Sequence, residues 1–86
     1  MDLHDQFLRY FGTSDLAAVT PAAMLAGTEH MRVDFGLEKD RSRRFGLWTL
    51  LHMLGAAPDL ELAFPEEQDR AAARRFMDVT DRFDEV

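Results

Sequence analysis

The sequence predicts an all-α protein: a small bundle of about four helices packed around a central apolar helix at about residues 38–54. Three observations point to this. Apolar residues recur at spacings of three and four in four segments, the pattern of helices with one buried face. Glycine and proline punctuate the gaps, at Gly12, Pro21, Gly36, Gly55, Pro58 and Pro65. One segment, Arg41 to Gly55 (RSRRFGLWTLLHMLG), is apolar nearly all round.

The first helix is expected from Leu3 to Phe11. Asp2 is placed to cap it, and Asp5 adds negative charge to the first turn, where the helix dipole favours it. Leu3, Phe7, Tyr10 and Phe11 share one face, and Gly12 supplies a C-terminal stop. Thr13 to Val19 reads as a capped turn with Ser14 as its N-cap. Thr20 and Pro21 then start the second helix, with Thr20 as N-cap and Pro21 where its missing N–H costs nothing. Val19 and Met24 are spaced for a hydrophobic staple. Met24, Leu25, Thr28, Met31 and Phe35 fall on one side of this helix, with Glu29, His30, Val33 and Asp34 on the other. Gly36 is its expected end, and Gly27 a point where it could break.

The third helix starts between Leu37 and Asp40 and ends at Leu54, with Gly55 as cap. Phe45, Leu47, Trp48, Leu50, Leu51, Met53 and Leu54 cover most of its circumference at about 100° per residue. Only Gly46, Thr49 and His52 interrupt them. Such a helix must be covered on several sides, by the other three or partly by a second chain. In the link Ala56 to Phe64, Leu60, Leu62 and Phe64 alternate with other residues. An extended loop laying these three against the helices is expected. The last helix runs from Pro65 to about Phe83, with Glu66, Glu67 and Asp69 at its start. Its expected buried stripe is Ala72, Phe76, Val79, Thr80 and Phe83. Arg70, Arg74, Asp78 and Arg82 form the opposite, ion-paired face.

Eighty-six residues make at most one domain with a small core. With no cysteine there is no disulfide, thiolate metal site or cysteine nucleophile. A net charge of −6 opposes non-specific binding to nucleic acid or anionic membrane. The longest apolar run, Phe45 to Leu54, is too short to cross a bilayer. The acidic N-terminus does not fit an export signal, so a cytoplasmic location is expected. Nine of the ten basic residues are arginine, which fits a GC-rich bacterial genome.

No hydroxyl residue sits in a nucleophile motif, and no glycine loop suits a phosphate. His30 and Asp34 lie one turn apart beside Glu29, but two ligands without a second histidine pair make a solvated polar face the better expectation. Hence no catalytic residue, metal site or cofactor is expected. Ala23, Gly27 and Val33 meet the spacing of a degenerate helix-turn-helix at about residues 20–36. A DNA-binding regulator is therefore the alternative function, although Glu29 and Asp34 oppose phosphate contact. The leading expectation is a non-enzymatic interaction or regulatory module that binds a protein partner or itself, as a homodimer, through the third helix. Phe45, Trp48 and His52 are the candidate interface. Arg41, Arg43 and Arg44 are candidate contacts for an anion or an acidic partner, or else ion-pair partners within the acidic chain.

Overall fold

The computed structural model describes the backbone of residues 3–84 and the side chains of residues 4–82. The expected cap at Asp2 and the Phe83 end of the last apolar stripe lie outside them. The order of elements is α1 (Leu3–Phe11), a 3-10 turn (Leu16–Ala18), α2 (Pro21–Leu37), α3 (Arg41–Met53), α4 (Leu60–Ala63) and α5 (Glu67–Asp84). The fold is all-helical. α1 packs on α2, α2 on α3, and α5 on both α3 and α4.

Side-chain caps set most of the boundaries. Asp15, rather than Ser14, caps the 3-10 turn by accepting from the Ala17 N–H at 3.1 Å. Thr20 caps α2 through the Ala23 N–H at 3.2 Å. α2 continues through both of its glycines to Leu37, so the turn that a helix-turn-helix over 20–36 requires is not formed. Asp40 accepts from the Arg43 N–H at 3.0 Å and thereby starts α3 at Arg41. At the other end Gly55 takes φ +74°, a left-handed conformation that costs glycine nothing. Its N–H reaches the His52 carbonyl at 3.0 Å and that of Ala56 reaches Leu51 at 2.8 Å. This paired closure satisfies carbonyls the helix would leave bare.

The link after α3 is not extended. Asp59 follows Pro58, and its carbonyl accepts from Leu62 and Ala63, closing the single turn of α4. Helical spacing then puts Leu60, Ala63 and Phe64 on the inner side, while Leu62 is 80% exposed. α5 begins at Glu67, two residues after the expected Pro65. Its inner stripe is turned by one residue from expectation, to Ala73, Phe76, Met77 and Thr80, and Val79 faces outward. Arg70 also leaves the predicted ion-paired face and donates to the Phe64 and Pro65 carbonyls, both at 2.9 Å.

The core is centred on α3. Leu47, Trp48, Leu50 and Leu51 are buried against Met31 and Phe35 of α2, Ala63 and Phe64 at the end of α4, and Ala73 of α5. Among the described residues no buried side-chain nitrogen or oxygen lacks a hydrogen-bond partner. That is the condition a small core must meet, since an unpaired buried polar group costs about 1–3 kcal/mol.

Candidate functional site

The three arginines at the start of α3 do different things. The Arg41 guanidinium holds the Asp69 carboxylate of α5 through two hydrogen bonds, of 2.8 and 3.2 Å. These bonds raise the Arg41 pKa further above its ordinary value. Arg43 is exposed and lies 3.9 Å from Glu38, a loose ion pair. Arg44 turns inward. Its guanidinium donates to the Phe35 carbonyl at 2.9 Å, the Glu38 carbonyl at 3.3 Å and the Ala63 carbonyl. It also lies 4.3 Å from the centre of the Phe35 ring. These carbonyls end α2 and α4, where orphan acceptors and the negative end of each helix dipole favour a cation. Arg44 therefore ties two helix ends together, and it also lines a cleft with Lys39, Arg41 and Asp69.

The aromatic candidates lie mostly inside one chain. Trp48 is 1% exposed, and its indole N–H reaches the Pro58 carbonyl at 3.4 Å. The rings of Phe64 and Phe76 meet it edge-on at 5.7 and 6.2 Å. His52 stacks on it at 5.2 Å with the planes 10° apart. Phe45 is half-buried and lines a shallow groove between α3 and α5 with Arg41, Ser42, Asp69 and Ala72. Most of the apolar surface of α3 is thus covered by this chain's own α2, α4 and α5, while Met53 is 58% exposed. An open cleft of about 460 Å³ remains beside Trp48 and His52, rimmed by Asp59, Glu61 and Arg74.

A second cleft, of about 530 Å³, opens between α1, the end of α2 and the start of α3. Its central group is Asp34, which sequence spacing had left on a solvated face with His30. The Tyr10 hydroxyl donates to Asp34 Oδ2 at 2.7 Å. Arg9 and His30 nitrogens lie 3.8 and 3.6 Å from the same oxygen. His30 also meets the Tyr10 ring edge-on at 5.1 Å. Burial, then the hydrogen bond and charge of Asp34, push the Tyr10 pKa well above its ordinary value. This polar cluster fastens α1 to α2. Among the described residues, no three His, Asp or Glu side chains converge as metal ligands. No serine or threonine lines either cleft.

On the outer face of α2, where Val33 was expected, spacing misplaced one residue. Leu25, assigned to its buried side, is 68% exposed; Val33 and Leu37 are 56% and 73% exposed. Around them lie Ala22, Ala26 and Gly36, all exposed. The charges on this face are Glu29 and Arg32, which pair with each other at 3.2 Å. The buried side of α2 runs through Met31 and Phe35, as expected, and through Gly27, with Met24 and Thr28 half-buried. A low polarity all round α2, already present in PAAMLAGTEHMRVDFGL, was the available signal. A comparison with known protein families, curated proteins and solved structures returns no match for this chain.

Proposed function

We propose that the chain is a small non-enzymatic interaction module whose contact surface is the outer face of α2. The observation that carries this reading is the exposed ridge of Leu25, Val33 and Leu37. Apolar side chains left open on one helix face are surface that a partner covers. Each, once covered, contributes about 1.5–3 kcal/mol of burial before the costs of association. The small residues Ala22, Ala26 and Gly36 let another helix approach closely between them. Support also comes from the arginines and rings that a ligand would have engaged. Arg41, Arg44, Trp48 and Tyr10 are each held by contacts within the chain.

Site-specific photo-crosslinking in the native cell tests the reading. A photoreactive residue replaces Leu25 in one version and Arg75, on exposed α5, in another. Adducts with any polypeptide, its own or foreign, at position 25 and not at 75 are expected. Absence of adducts at position 25 under conditions that label a control interface would overturn it.

A further inference from the structure

We infer that the occupant of the α2 face is a second copy of this chain, with the two α2 helices packed antiparallel about a two-fold axis. The inference rests on the interaction reading above and names its partner. Two independent features share one midpoint, between His30 and Met31. In an antiparallel helix pair, residues equally far from the axis on either side face one another.

The first feature is charge. Glu29 and Arg32 lie equally far from that midpoint, so each Glu29 meets the Arg32 of the second copy. The pairing is self-complementary, and the internal Glu29–Arg32 contact of 3.2 Å shows that both groups already point to the same patch. The second feature is shape. Leu25 and Gly36 are also equally far from the midpoint. Leu25 is an exposed knob, and a Cβ placed on Gly36 would meet no atom within 4 Å. Each Leu25 therefore drops onto the bare backbone of the second copy's Gly36, twice by symmetry. Val33 flanks this contact, and Leu37 lies farther round the helix, at the cleft beside α1.

The available area sets the strength. Seventeen residues of α2 make a face about 25 Å long. Two such faces bury on the order of 1,000 Å², at the low end of specific interfaces. A reversible dimer is expected, with a Kd on the order of 0.1 mM.

The test is sedimentation equilibrium on the purified full chain from low micromolar to about millimolar concentration, on the scale of such affinities. The expected result is a rise in mass from one chain to two. Leu25→Glu abolishes the rise. Glu29→Arg alone places two cations opposite two cations and weakens association by tenfold or more; Arg32→Glu does the same with anions. Mixing these two variants restores association, because each now carries the other's opposite charges. Circular dichroism verifies that the exposed substitutions leave the helices intact. A mass of one chain at every concentration overturns self-association, and photo-adducts with another polypeptide at position 25 then leave the interaction reading standing. A dimer that ignores the charge exchange overturns the antiparallel α2 arrangement.

Discussion

Gly27 and Gly36 lie in the same helix, and replacing each by alanine is expected to move stability in opposite directions. Alanine normally gains about 1 kcal/mol over glycine inside a helix. Within a single chain nothing opposes that gain at Gly36, because the added Cβ meets no atom of the chain within 4 Å. Gly36→Ala should therefore stabilise by about 0.5–1 kcal/mol. At Gly27 the Cβ would stand 2.6 Å from the Tyr10 carbonyl oxygen and closer still to the Phe11 ring. The ring can rotate; the carbonyl belongs to α1, so the helix itself must back away. Overpacking of this kind costs about 1–3 kcal/mol. Retreat of α1 also stretches the 2.7 Å bond from Tyr10 to Asp34, a loss of about 1 kcal/mol more. Set against the propensity gain, Gly27→Ala should destabilise by about 1–3 kcal/mol. Urea unfolding followed by Trp48 fluorescence and far-ultraviolet circular dichroism, at low micromolar concentration, measures both variants. With a slope of about 1 kcal/mol per molar urea, the two midpoints should separate by roughly 1.5–4 M. If both substitutions shift the midpoint the same way, the close docking of α1 on Gly27 is wrong.

Other outcomes follow from the same contacts. Arg44→Lys removes the planar fork that serves three carbonyls and faces Phe35, and should cost about 1–3 kcal/mol in urea unfolding. Arg43→Lys, on the exposed side, should stay within about 0.5 kcal/mol; equal effects at the two positions would refute the role given to Arg44. Trp48→Ala should cost about 3–5 kcal/mol or prevent folding, whereas a partner-facing tryptophan would lose binding with little change in stability. Tyr10→Phe should be about 1–2 kcal/mol less stable than the parent at neutral pH. The fold favours the neutral phenol, so this advantage is complete below the ordinary tyrosine pKa of about 10 and is lost as pH rises beyond it. A gap between parent and variant that widens from pH 9 to 11 would contradict the Tyr10–Asp34 bond. The coupling between Arg41 and Asp69, measured by a double-mutant cycle, should fade in high salt, as exposed ion pairs do.

Much of the fold is legible in local signals. Thr20 and Gly55 act through neighbours within a few residues, so the start of α2 and the end of α3 follow from the chain itself; the start of α3, left open between Leu37 and Asp40, is set by the Asp40 cap. The all-round apolar character of α3 also places it at the centre, since no other helix needs cover on so many sides. The candidate site was less legible. Which side of α2 faces inward depends on where α1 docks, and it docks on Gly27, a residue with no side chain to register in an apolar pattern. That rotation carried Leu25 out to solvent and brought Asp34 under Tyr10. In α5 a turn of one residue, from Ala72 to Ala73, had the same origin, because alanines fit either side. In the link, alternation suggested an extended piece. The helical alternative rests on Ala63, small enough to be buried, and on arginines from α3 and α5 that satisfy its carbonyls.

The sequence by itself determined the helical class, the capped boundaries and the need to enclose Trp48, because these rest on backbone hydrogen bonding and on burial period, which act locally. Only the tertiary structure decided who encloses it and what is left over. Covering α3 took the inner faces of α2, α4 and α5 from the same chain, and Arg44 was drawn inside to serve the helix ends that meet there. The outer face of α2 keeps three of the apolar side chains still open, Leu25, Val33 and Leu37, while Leu8, Met53, Leu62 and Val79 stay open elsewhere. Which faces pair is a property of how helices fit together, and no single helix carries that information.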